Sequence, residues 1–188
     1  MQIKSTRTKG ELAEVLMNSK SNGPDVAYWV FSEISQGKWE NMTVTTNGFY
    51  DSEFPKTYGH YHGTNVIETY MLVSGKGILQ LQKKLINGPV EKVERVFMIQ
   101  FEKSGEQIQI PFEWGHSWSN VGNEPLITFD DWRSGHTDSD YEIIKRLKGM
   151  SYYLVKDADT GIRAVPNENY KDLPEPEWIT PEQFEKLI

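Results

Sequence analysis

The chain contains no cysteine, so neither a disulfide framework nor a thiolate metal site is available, and any bound metal must be held by histidine and carboxylate side chains. It has no apolar run approaching the roughly 18 residues of a membrane span. Its opening, Met1-Gln-Ile-Lys-Ser-Thr-Arg7, lacks the apolar core of a secretory signal, so a cytoplasmic protein with no membrane attachment is the expectation. In that setting Asn41-Met-Thr43 is an incidental sequon. Positive charge is also in deficit: 20 Lys and Arg against 27 Asp and Glu leave a net charge of −7, the wrong sign for a nucleic-acid partner or an anionic lipid surface.

What remains suits a single domain over residues 1–188, large enough to bury a sizeable core and directed toward a small molecule. Apolar Leu12, Val15 and Leu16 with early Glu11 and Glu14 predict one amphipathic helix of about three turns over Thr8 to Ser19, ended by Ser21-Asn-Gly-Pro24. Residues 1–25 are therefore expected to form a helical arm. From Val26 the texture changes to strand residues and hairpin punctuation, with a turn at Asn47-Gly48. Strands are predicted around Met42 to Thr46, Val66 to Val73, Gly77 to Lys83, Val93 to Gln100, Gln107 to Ile110, Ser117 to Val121 and Leu126 to Trp132. Short, evenly spaced strands without intervening helices favour an all-β antiparallel sandwich or barrel over 26–141.

Residues 142–188 are expected to add a hairpin and a tail. Tyr141-Glu-Ile-Ile-Lys-Arg-Leu147 reads either as a short helix or as an extended surface element. Tyr152 to Val155 and Ile162 to Val165 flank Asp157-Ala-Asp-Thr-Gly161, a hairpin turn that lacks the later ligands of a calcium loop. The tail offers a Pro-rich linker and a short helix capped at Thr180 with Pro181 in its first turn, packing on the barrel exterior or on a neighbouring subunit.

The chemistry concentrates in Thr57-Tyr-Gly-His-Tyr-His-Gly-Thr-Asn-Val-Ile-Glu-Thr-Tyr70 and Pro111-Phe-Glu-Trp-Gly-His-Ser-Trp-Ser-Asn120. On an extended backbone His60 and His62 point to one side, because strand side chains alternate with period two. Glu68 can return a carboxylate beside them, and His116 arrives from a second strand pair. Three imidazoles and a carboxylate suit Fe, Mn, Ni, Cu or Zn better than Mg or Ca.

These two stretches resemble the paired motifs of the cupin superfamily, through His60, His62, Glu68 and Gly75 in the first and Gly105, Pro111, His116 and Asn120 in the second. Glu113 stands where that pattern carries a Gly. Within the superfamily the chain resembles the cupin-type glucose-6-phosphate isomerases of archaea and some bacteria from about Val26 to Tyr141. The matching segments are Thr57-Tyr-Gly-His-Tyr-His62, Glu68-Thr-Tyr70, Gly75-Lys-Gly77, Pro111-x-x-Trp-x-His116, Asn120-Val-Gly-Asn-Glu-Pro125, Gly135-His136 and Asp140-Tyr141. Trp132 departs from it, replacing a Tyr.

The resemblance implies a jelly-roll-like cupin barrel, usually a homodimer, that interconverts glucose 6-phosphate and fructose 6-phosphate. It implies one divalent transition metal on His60, His62, Glu68 and His116, with Fe2+ the leading choice and Mn2+, Ni2+ or Zn2+ also suited. Glu68 would then also be the candidate base of a cis-enediol route, a role that a direct hydride shift would remove. Tyr70 and His136 would act on the substrate, and Thr43, Thr57, Gly59 and Tyr141 would hold the sugar phosphate. Trp114, Trp118, Trp132, Phe101 and Phe112 read first as lining or core. The same ligand set also serves non-haem cupin dioxygenases, and a cupin can bind a sugar without turning it over.

Overall fold

Alternation along the chain builds the sheets, and in the computed structural model, which describes residues 1–63 and 67–187, it does so with the polar residues turned inward at the site. The elements in order are β1 (Gln2–Thr8), α1 (Lys9–Leu12), β2 (Val26–Gln36), β3 (Trp39–Thr45), β4 (Glu68–Ser74), β5 (Gly77–Lys84), β6 (Val93–Phe101) and β7 (Gln107–Ile110). There follow β8 (Trp114–Asn120), β9 (Leu126–Asp130), α2 (Asp138–Arg146), β10 (Tyr152–Asp157), β11 (Gly161–Pro166), β12 (Glu177–Ile179) and α3 (Pro181–Glu185). The chain is all-β in class, with short peripheral helices, and none of the described helices is long and apolar enough to cross a membrane.

A six-stranded sheet in the order β1-β2-β3-β9-β4-β7 faces a four-stranded sheet in the order β12-β6-β5-β8. Their inner faces share one core, with Leu72 and Ile108 from the first sheet packed among Leu79, Leu81, Phe97 and Trp118 from the second. This is a jelly-roll-like layering. In β3, however, the buried positions are Asn41, Thr43 and Thr45, and Met42 and Val44 are half-exposed. β9 repeats the inversion: Thr128 and Asp130 are buried and Ile127 and Phe129 half-exposed. Buried polar residues facing inward at period two line a cavity instead of a dry core.

Several expectations need correction. The helical arm is not present as predicted: residues 2–8 form β1, paired antiparallel with β2, and only α1 and a 3-10 turn at Ala13–Val15 follow. The capping box at Thr8 and Glu11 does start a helix, but Leu16 already has extended backbone, and Leu12, Val15 and Leu16 are consumed in packing against Tyr50 and Ile144 instead of extending one face. β8 starts at Trp114, earlier than expected, and β9 ends at Asp130. The predicted start of the strand at Val66 lies outside the described residues; the strand is described from Glu68. Residues 138–146 form a helix, settling the open choice around Tyr141. The tail adds an unforeseen strand, β12, parallel to β6. Its helix α3, capped by Thr180 as expected, inserts Phe184 into the main core against Phe97 and Trp114.

Candidate metal centre and substrate cavity

Three stretches of backbone deliver the four ligand-type side chains: the segment before β4 carries His60 and His62, β4 carries Glu68 and β8 carries His116. His60 belongs to no named strand but bridges to His116 in the middle of β8, so the segment 56–60 borders the four-stranded sheet. Glu68 is the first residue of β4, opposite Ile110 of β7. With Tyr70 two residues on, Glu68 faces inward, and both are buried.

One candidate ligand atom from each of His60, His62, Glu68 and His116 lies within 4.8 Å of the others, and all four residues are buried. Glu68 Oε2 sits 2.6 Å from His62 Nε2 and 3.1 Å from His116 Nε2. Nδ1 of His116 lies 3.5 Å from the Trp114 carbonyl, which orients the ring and leaves Nε2 directed at Glu68. Burial pushes the Glu68 carboxyl up, but hydrogen bonds from His116 and His62 outweigh it and hold the group at about 2. Burial, then the charges of His116, His136 and His62, hold His60 well below the ordinary imidazole range. A neutral imidazole and an ionised carboxylate are the metal-binding forms of these groups.

The donor set fits a metal on a second, independent observation. His60 Nε2, His62 Nδ1 and Glu68 Oε1 are buried without a hydrogen-bond partner. Orphaned buried acceptors are costly, and a cation among them would offset that cost.

A cavity of about 360 Å³ opens beside the cluster, within the range of small-ligand pockets of roughly 300–1,000 Å³. His60, Tyr70, His136 and Tyr141 line it, and so do Thr43, Thr57 and Gly59, so seven predicted residues share one space. Glu68, His62 and His116 do not reach its wall among those residues; His60 is the member of the cluster that does. Tyr70 Oη lies 3.4 Å from His116 Nε2. Burial and the charges of Glu68 and Asp130 push its hydroxyl well above the ordinary range, so it remains a donor. The His136 ring lies 4.0 Å from that of His60 and stacks on Trp132, and burial lowers its pKa to about 4. Tyr141 meets Tyr58 edge-on at 5.5 Å.

Thr57 Oγ1 accepts from Trp118 N at 3.0 Å, which positions its hydroxyl proton. Gly59 has φ of +85°, and a Cβ there would lie 3.1 Å from Met150 Sδ, so both conformation and space favour glycine. The sequence did not single out Lys4, Arg7, Asn41 or Asp130, which also line the cavity. Asn41 Nδ2 donates to Asp130 Oδ1 at 2.6 Å. Burial, then the charge of Glu68, pushes the Asp130 carboxyl up to about 7. The legible signal was the alternation of polar with apolar residues in β3 and β9.

Comparison with known proteins places these residues in a family. A family model described as glucose-6-phosphate isomerase matches residues 33–172. The glucose-6-phosphate isomerase of Thermococcus kodakarensis is 29% identical over 168 residues, covering 86% of this chain and 82% of that one. That of Thermococcus onnurineus is 30% identical over 153 residues, covering 78% and 74%. Among solved structures, a predicted oxalate decarboxylase of Thermotoga maritima aligns with TM-score 0.42 at 14% identity over 69% of this chain and 90% of that one. A structure of oxalate oxidase aligns with TM-score 0.36 at 13% identity over 55% and 40%.

Proposed function

Because the chain belongs to the glucose-6-phosphate isomerase family, we propose that it interconverts glucose 6-phosphate and fructose 6-phosphate as a metal-dependent aldose–ketose isomerase. The observation that carries this reading is the buried cluster of His60, His62, Glu68 and His116 at the wall of a cavity furnished with hydroxyl and amide donors.

In this reading His60, His62, Glu68 and His116 hold one divalent transition metal, Fe2+ first and Mn2+, Ni2+ or Zn2+ compatible with the same donors. When bound it supplies Lewis acidity and a template for the charge that develops on the two sugar oxygens at C1 and C2. Glu68 is ionised and keeps Oε1 free of hydrogen bonds, which fits it to take the proton from C2 and return it to C1 while the hydroxyl proton shifts from O2 to O1. A hydride passing directly from C2 to C1 would leave Glu68 as a ligand alone. Tyr70, fixed as a donor, stabilises the developing oxyanion. His136, neutral near pH 7, offers an acceptor for a ring hydroxyl during opening.

The phosphate falls to Thr43 and Thr57 hydroxyls and the Gly59 amide, with Tyr141 closing over the sugar; hydroxyls and backbone N–H groups bind phosphate oxygens well. The reading includes a homodimer. Phe31, Met42, Phe129 and Met71 form a cross-strand apolar row on the side of the sheet opposite Asn41 and Asp130, a surface that suits a second copy.

The test is turnover of fructose 6-phosphate by metal-loaded protein in deuterated water, with Glu68→Gln beside the wild type. Turnover by the wild type and its collapse in the variant support the reading; a metal-loaded wild type that binds the sugar phosphate without converting it overturns it. Deuterium at the product carbon assigns the proton route, and its absence assigns the hydride route.

A further inference from the structure

Two cations line the cavity, and both come from β1. In the pairing of β1 with β2, Ile3 opposes Phe31 and Ser5 opposes the adjacent Val30, so Lys4 is the extra residue of a bulge. A bulge turns its extra side chain toward one face, and Ser5 and Arg7 follow at strand period two. Lys4, Ser5 and Arg7 all line the cavity.

Each cation contacts a residue close in the chain to a proposed phosphate donor. Lys4 Nζ donates to Asn41 Oδ1 at 3.3 Å, and Asn41 precedes Thr43 by two residues on the buried face of β3. The Arg7 guanidinium lies over the Tyr58 ring, 5.3 Å from its centroid, and Tyr58 stands between Thr57 and Gly59. Nearby acids have other partners: Glu11 the Thr8 backbone, Glu14 Tyr58 Oη and Lys145, and Asp130, which shares the cavity with Lys4, the Asn41 amide and Trp132 N. Among the described residues neither Lys4 nor Arg7 forms a salt bridge. Unneutralised cations beside a cavity, in a chain of net charge −7, attract an anion to that one place.

We propose that Lys4 and Arg7 are phosphate-recognition residues, and that β1 thereby sets a preference for phosphorylated over neutral sugars. The inference rests on the sugar-phosphate reading above and adds to it the charge that Thr43, Thr57 and Gly59 do not carry. Guanidinium and ammonium groups form charge-assisted hydrogen bonds to phosphate, about twice as strong as the neutral kind.

The test is calorimetric binding of inorganic phosphate and of fructose 6-phosphate to the intact chain, with steady-state kinetics on the same samples. Lys4→Gln and Arg7→Gln should each weaken both ligands about tenfold and raise KM with kcat unchanged. Arg7→Lys should retain most of the affinity, and wild-type binding should weaken as salt rises. Unchanged affinity in both Gln variants, or an Arg7→Lys as weak as Arg7→Gln, overturns the proposal, the latter by assigning Arg7 to packing on Tyr58. So does a wild type that binds neither ligand. Should Arg7→Gln fail to fold, Lys4→Gln, altering an exposed side chain, decides alone. A wild type that binds fructose 6-phosphate without converting it sinks the isomerase reading, and the affinity ratios still judge the anion site.

Discussion

His60 and His116 exchange both of their backbone hydrogen bonds, at 3.1 and 3.0 Å, and their rings lie 4.2 Å apart. That single register pair joins the histidine-rich stretch to β8 and so sets the distance between the two halves of the cluster. His116→Ala keeps the backbone pair and removes one ligand. Metal content after equilibration with limiting metal should fall well below one ion per chain, with affinity down by more than the roughly 10–100-fold that loss of an outer partner costs. Full metal occupancy in the variant, measured by mass spectrometry of the metal, would exclude His116 as a ligand.

Asp130 gives the metal-free protein a pH dependence between about pH 4 and 7. Burial, with the Glu68 charge next, raises its carboxyl from 3.8 to about 7. A folded pKa above the unfolded value means that the contribution to stability is complete below about pH 4 and is lost as pH rises through 7. His136 works in the opposite sense: its folded pKa is lowered from 6.5 to about 4, so its contribution is present above pH 6.5 and is lost as pH falls through 4. Both effects fall between about pH 4 and 7 and oppose each other, so urea denaturation across that range should show stability rising more steeply with pH in Asp130→Asn than in the wild type. An unchanged slope over that range in the variant would refute the assignment.

The N-terminal segment is anchored by a buried ion pair. Lys56 Nζ lies 2.6 Å from Glu53 Oε1 and donates to the Val15 carbonyl, and Glu53 Oε2 accepts from Met17 N at 2.7 Å. Lys56→Met leaves the Glu53 charge buried without its counter-charge and should cost about 3–5 kcal/mol. Glu53→Gln combined with Lys56→Met keeps an acceptor for Met17 N and should cost less than the single change. Chemical denaturation of the two variants decides, and a double variant less stable than the single one would contradict the anchoring role.

The apolar row of Phe31, Met42, Phe129 and Met71 predicts the oligomeric state. Light scattering should give about twice the 21.7 kDa chain mass, and Phe129→Asp should yield a monomer. A wild-type monomer would remove the dimer from the account.

Much of this was readable from residue order, and the misses share a cause. The strands of the jelly roll announced themselves because turn residues such as Ser74-Gly75 and Gly122-Asn123 punctuate apolar runs, and the candidate ligands stood out because three of the chain's only four histidines fall at motif positions. β1 did not, since Gln2-Ile-Lys-Ser-Thr-Arg-Thr8 is an edge strand with six of its seven residues exposed, and exposed edges carry no hydrophobic alternation. Leu12, Val15 and Leu16 with early Glu11 and Glu14 drew attention to a helix that packing then cut to one turn. β12 is held by pairing with β6, a long-range partner that no local pattern reveals. Asp130 became visible only through its neighbours, because a buried carboxyl is defined by what surrounds it.

The account stands most directly on fructose 6-phosphate turnover after metal is stripped and Fe2+, Mn2+, Ni2+ and Zn2+ are returned one at a time. It predicts that stripped protein is inactive, that at least one of these ions restores turnover in proportion to occupancy, and that His116→Ala is restored by none at the same concentration. Full turnover by protein shown to hold no metal would contradict it.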